Sequence, residues 1–144
     1  MDNASLELLK FIGQNARMGT ITLSALEKAL PEGEMKRSVV KQLKEYELIV
    51  RVSDDKLAAA GEDPKDINAV ARTAATAMLG AQTVADKSES HIAEMIIIGS
   101  TRGVIEITRR LRDFREGADV DAADLGYRLL SIEQNNVDDM KHYL

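Results

Sequence analysis

The chain has 144 residues, a formal net charge of −5, no cysteine and only 3% aromatic residues. That length can bury about two-thirds of the unfolded chain's surface in one domain without staples. The missing thiols exclude disulfides, thiolate metal sites and a cysteine nucleophile. Acids and bases balance in residues 1–60 and the excess acid falls in 61–144, so neither half carries the basic footprint of a nucleic-acid binder.

The opening "MDNASLELLK" has no basic stretch before its apolar residues, unlike a secretory signal. The longest apolar run, Met95 to Ile98, is far short of the roughly 20 residues of a membrane span. A cytoplasmic protein without membrane contact is expected. A first helix is predicted over 5–16, burying Leu6, Leu9, Ile12 and Gly13, and a second over 23–30, where Ser24 and Glu27 have capping-box spacing and Pro31 is the stop. A third covers 34–60, because Met35, Val39, Leu43, Tyr46, Val50, Ser53, Leu57 and Ala60 step by three or four into one apolar stripe.

Gly61 then supplies a C-terminal cap, Asp63 an N-cap and Pro64 a first helical position, which makes an antiparallel corner. A fourth helix follows over 64–85 with an Ala-rich face at Ile67, Ala71, Ala74, Met78, Ala81 and Ala85. A break or kink is expected at 86–89, then a fifth helix over 89–115 ending at Gly117. The sixth, over 121–142, is capped by Asp121 and buries Leu125, Leu129, Ile132, Val137 and Met140. The pattern predicts an all-α, single-domain protein spanning 1–144: an antiparallel four-helix bundle over 34–142, with an N-terminal helical pair over 1–31 packed across it.

Several segments resemble sites. Residues 22–52 imitate a winged helix-turn-helix, with Lys36, Arg37, Lys41 and Lys44 on the second helix and "LIVRV" as a wing strand. The neutral charge of this half and the helical phase through Tyr46, Val50 and Leu57 favour a solvated long helix, leaving DNA binding as an alternative. A divalent metal is a second alternative. His91-x-x-Glu94 is the reverse of the Glu-x-x-His spacing used by carboxylate-bridged di-metal bundles, and Glu133 and Glu45 are the acids that would have to converge with it. With only two histidines, a partly buried His91 bonded to a neighbouring acid is preferred. "GSTRG" at 99–103 looks like a phosphate loop, but no strand precedes it and no Lys follows it. Gly99 and Gly103 are instead read as close-packing positions on one helix face, offsetting about 0.8–1 kcal/mol of helix propensity each. The bases Arg109, Arg110, Arg112 and Arg115 are read as surface partners of Asp124, Glu133, Asp138 and Asp139 on the last helix. No catalytic set emerges.

"DKSESHIAEMIIIGSTRGVIEITRRL", "RLLSIEQNNVDDMKHYL" and, more weakly, "LELLKFIGQNARMGTITLSAL" together resemble a group of small helical proteins from clostridia and related Firmicutes, with residues 86–108 the most specific part. The resemblance implies a ferritin-like bundle in outline and no particular activity. The ferritin ligands do not carry over, since only His91 and Glu94 lie comparably and in inverted order. The group carries an apolar residue where this chain has Arg102, which implies that Arg102 is exposed here or faces a partner. The reading preferred from sequence is a non-catalytic protein without a cofactor, acting on a protein partner or as a homodimer.

Overall fold

The computed structural model describes residues 1–64, 86–114 and 119–144. Within them the chain is all-α, with four helices and no strand: α1 (Asn3–Ala29), α2 (Glu34–Ala59), α3 (Glu89–Asp113) and α4 (Val120–Lys141). The expected helix over 64–85 lies, apart from Pro64, outside the described residues. None of the described helices is long and apolar enough to cross a membrane.

The N-terminal pair is corrected to one helix. α1 begins at an Asp2 N-cap, whose carboxylate accepts from Ser5 N at 2.7 Å, and runs unbroken through "RMGTIT". Its buried stripe is Ile12, Ala16, Leu23 and Leu26, and Gly19 occupies the stripe position between Ala16 and Leu23. Helical phase therefore continues across the glycine and the β-branched Thr20, Ile21 and Thr22, and tertiary packing overrides their weak propensity. Thr20 Oγ1 also bonds back to the Arg17 carbonyl at 2.7 Å. α1 is thus a single helix rather than a pair, and it packs chiefly on α2 among the described elements.

α2 ends where the sequence indicated. Gly61, at φ +78°, donates to the Ala58 carbonyl, and Glu62 N donates to the Leu57 carbonyl. This is the Schellman turn for which a glycine past the helix end is suited. The stripe of α2 is rotated slightly from expectation: Gln42 and Ile49 are buried, while Leu43 and Val50 are only partly so. The break before α3 is present. Residues 86–88 are not helical, and Ser88 caps α3 by accepting from His91 N at 3.2 Å. The cap of α4 is Asp119 rather than Asp121; its Oδ1 accepts from Asp121 N and Ala122 N.

Contacts along the helices fix their directions. Gly13 lies by Ser53 and Gly19 by Tyr46, so α1 and α2 are antiparallel, and an Arg17–Asp54 ion pair ties them. Gly103 lies by Glu133 and Leu111 by Gly126, so α3 and α4 are antiparallel too. α4 joins the two pairs: Gly126 approaches Ile12 of α1, Asp119 N donates to Ser5 Oγ, and Glu133 and Asn136 meet Tyr46 of α2. α1 and α3 touch far less than either sequential pair. The core is aliphatic, with Leu9, Ile12, Leu26, Val39, Ile49, Ile92, Ile107, Leu129 and Met140 fully shielded.

Candidate functional site

A polar cluster interrupts this aliphatic core midway along the helices. Tyr46 on α2 projects toward α4, and its ring lies flat against Gly19 of α1, where a Cβ would sit 2.9 Å from the ring carbons. On α4, Glu133 and Asn136 are three residues apart and so share a face. On α3, Gly103 lets the helix backbone come up to the Glu133 carboxylate; a Cβ there would be 2.6 Å from Oε1. The Tyr46 hydroxyl donates to Glu133 Oε2 at 2.5 Å, and Asn136 Nδ2 donates to the Tyr46 oxygen at 3.2 Å. The Ser100 hydroxyl of α3 belongs to the same cluster and lowers the pKa of both Glu133 and Tyr46.

Glu133 is only 3% exposed. Burial disfavours its charged form and is the main cause that raises its pKa, from 4.5 to about 7. The hydrogen bonds from Tyr46 and Ser100 pull the other way, and the nearby charge of Glu106 adds to the rise. Tyr46 is pushed well above the ordinary phenol range, first by burial and then by the Glu133 charge, so it remains a donor throughout physiological pH.

Tyr46, Ser100 and Glu133 of this cluster form the floor of a cleft of about 470 Å³ between α1 and α3. Phe11, Met18 and Leu23 give one wall, and Met95 and Ile96 the other. The lining on α3 runs from Met95 to Glu106, which at 1.5 Å per residue is about 17 Å of helix. Gly99, Arg102 and Gly103 also line the α3 side, and Gln14, Asn15 and Thr22 the α1 side. At one end Arg110 stacks over the Phe11 ring, 4.5 Å from its centroid, as a cation–π contact.

The sequence-predicted sites fare differently. Gly103 is closely packed against Glu133, whereas a Cβ on Gly99 would meet no described atom within 4 Å; Gly99 opens onto the cleft. His91 and Glu94 are not brought to Glu133: His91 lies twelve residues before Gly103, about 18 Å along the α3 axis. Among the described residues no three His, Cys, Asp or Glu side chains are grouped to hold a metal. His91 Nε2 is buried with no hydrogen-bond partner among the described residues, and the charge of His91 acts on Asp86 just before the helix. Glu45 is half-buried and borders a shallow surface hollow with Arg37, Lys41 and Lys44. Lys36 pairs with Glu32 one turn earlier. The wing strand is absent, because residues 48–52 lie inside α2. No ion pair joins Arg109, Arg110 or Arg112 to α4 among the described residues, and Arg115 lies outside them. Arg102 is exposed.

From sequence, Tyr46 is a stripe position and Glu133 a candidate metal acid or a surface partner of the arginines; the two are not read as partners of each other. The available signal was Glu133 and Asn136, two polar residues in the phase of Leu129, Ile132 and Met140. Gln42, one turn before Tyr46 and buried with both amide atoms unpartnered among the described residues, belongs to the same polar level.

These features define an all-α protein with an apolar cleft floored by a buried, hydrogen-bonded carboxyl. No protein-family model, curated protein or solved structure matches the chain.

Proposed function

We propose that this is a non-catalytic cytoplasmic protein, a four-helix bundle of ferritin-like outline, whose cleft between α1 and α3 receives the apolar part of a small elongated ligand. The cleft is the observation that carries the reading. Its volume of about 470 Å³ falls in the ordinary range for ligand sites, roughly 300–1,000 Å³. Its walls are largely aliphatic, thioether and aromatic, interspersed with Gln14, Asn15, Thr22, Arg102 and Glu106, and Tyr46, Ser100 and Glu133 lie together at the floor. Such a division lets an apolar body bury itself while a few fixed groups orient one end. Tyr46 and Glu133 hold each other rather than a nucleophile, which favours binding over chemistry. The pairing directions of α1 to α4 support the bundle outline.

The test is calorimetric titration with octanol, a short neutral amphiphile, against the wild type and Gly99→Leu. Position 99 has open space in front of it, so the leucine projects into the cleft without disturbing the fold. Octanol is expected to saturate one site in the wild type and to bind at least tenfold more weakly to the variant. Equal binding to both proteins, or none to either, ends the reading.

A second reading, self-association, rests on a different feature. Ile98 and Ile105 on α3 are 58% and 47% exposed and lie two turns apart on one side of the helix. Pairing that side with a second copy would remove both from water. A dimeric mass at micromolar concentration, reduced to a monomeric one by Ile98→Arg with Ile105→Arg, is expected; a monomeric wild type rules it out.

A further inference from the structure

We infer that the ligand taken by the cleft is an organic cation, an amine with an apolar body, whose ammonium group is received by Glu133. The inference rests on the cleft being a ligand site, and the chemistry of the floor carries it further. The Tyr46 hydroxyl is engaged on Glu133 and the Asn136 amide on Tyr46, and the Ser100 hydroxyl acts on the same carboxylate. What the floor has left to offer is acceptor capacity, above all Glu133 Oε1, which lies beside the cleft-lining Gly103 while Oε2 takes the tyrosine bond. An ammonium brings three donors and no acceptor, the complement of that surface. One carboxylate and a phenol fall short of the six to eight oxygens that a calcium site takes.

The charges facing Glu133 point the same way. α2 presents Tyr46, held protonated by burial, and α3 presents Glu106, whose charge acts on Glu133. The lining of α1, namely Phe11, Gln14, Asn15, Met18, Thr22 and Leu23 with Gly19, contains no titratable group. Arg102 lines the mouth, but no ion pair joins it to Glu133 and it is not among the charges that act there. The buried carboxylate is therefore held by neutral hydroxyls alone. A cation placed against Oε1 supplies the partner that an ionised buried acid lacks. It also favours the charged form of Glu133, so binding near neutral pH drives a proton off the carboxyl.

The experiment compares octylamine, octanol and octanoate on the full chain at pH 7 by calorimetry in two buffers of different ionisation enthalpy. Octylamine is expected to bind at least tenfold tighter than octanol and to release a fraction of a proton. Octanoate should be the weakest of the three. In Glu133→Gln the amine should lose its tenfold advantage and its proton release while octanol binding persists, a selectivity change that a merely structural role of Glu133 would not produce. Octanol or octanoate binding as tightly as the amine, with Gly99→Leu still blocking them, overturns the cation and leaves the cleft standing. No binding by any of the three overturns both. Should Glu133→Gln fail to fold, amine binding that does not weaken between pH 7.5 and pH 5.5, as the carboxyl takes up its proton, overturns the cation in the wild type.

Discussion

Glu133 makes the sharpest statements at the scale of a single residue. Its carboxyl titrates at 4.5 when unfolded and at about 7 when folded, so the native state binds the proton more tightly. Its contribution to stability is full below about pH 4.5 and is lost as pH rises through about 7. Over that window the linkage amounts to about 3 kcal/mol. Glu133→Gln keeps an oxygen to accept from Tyr46 and removes the charge. Chemical denaturation should therefore find the variant gaining on the wild type between pH 5 and pH 8, by about 1–3 kcal/mol; a gap that stays constant with pH would assign the titration elsewhere. Tyr46→Phe probes the same bond from the other side. It strips Glu133 of a donor and Asn136 of its acceptor inside the core, and should cost about 1–3 kcal/mol. Because the tyrosine bond lowers the Glu133 pKa, its loss should move the carboxyl titration, followed by NMR, to still higher pH. A downward move would contradict the network.

At the scale of the helices, the glycines decide how closely pairs approach. A Cβ at Gly103 would overlap the Glu133 carboxylate, at 2.6 Å from Oε1 and 2.7 Å from the carboxyl carbon, whereas one at Gly99 meets no described atom within 4 Å. Gly103→Ala should destabilise by about 1–3 kcal/mol through overpacking, while Gly99→Ala should stabilise by up to about 1 kcal/mol through helix propensity. Thermal melts of the two variants check this, and equal shifts would show that α3 has the same freedom at both positions. The pair also shows what a sequence can reveal. The spacing of the two glycines was legible, and so were the spans of α2, α3 and α4, the Schellman turn at Gly61 and the break before Glu89, because each rests on chain-local chemistry. Which of the glycines meets a neighbour was not, since that depends on what α4 places opposite. The continuity of α1 was hidden for a related reason: Gly19 reads as a breaker locally, and only the Tyr46 ring lying against it explains its place in the stripe. The floor of the cleft takes one residue or more from each of three chain-distant helices, and no local pattern announces such a meeting.

For the molecule as a whole, the helices are unequally held, and the cleft is the reason. Among the described helices α4 packs on all three others, and α1 and α2 lie together along their lengths. Among the described residues α3 is secured chiefly by α4, because the cleft separates most of it from α1. Lifting α3 would expose Ile92, Ile96, Ile107 and Leu111, yet leave α1, α2 and α4 packed around Ile12, Ile49 and Leu129. Local opening free energies follow the contacts that must be broken. Native-state hydrogen exchange should therefore find the amides of 96–107 opening at lower free energy than those of 125–136 in α4 and 8–16 in α1. A ligand in the cleft would touch both α1 and α3 and add to the few contacts these two helices make. Saturating octylamine should narrow the difference by raising protection in 96–107 more than in 125–136, since ligand binding stabilises only the states that retain the site. Exchange of α3 and α4 as one unit without ligand, or a uniform rise in protection on adding it, would mean that α3 is not the weakly held element and that the cleft does not govern how the helices separate.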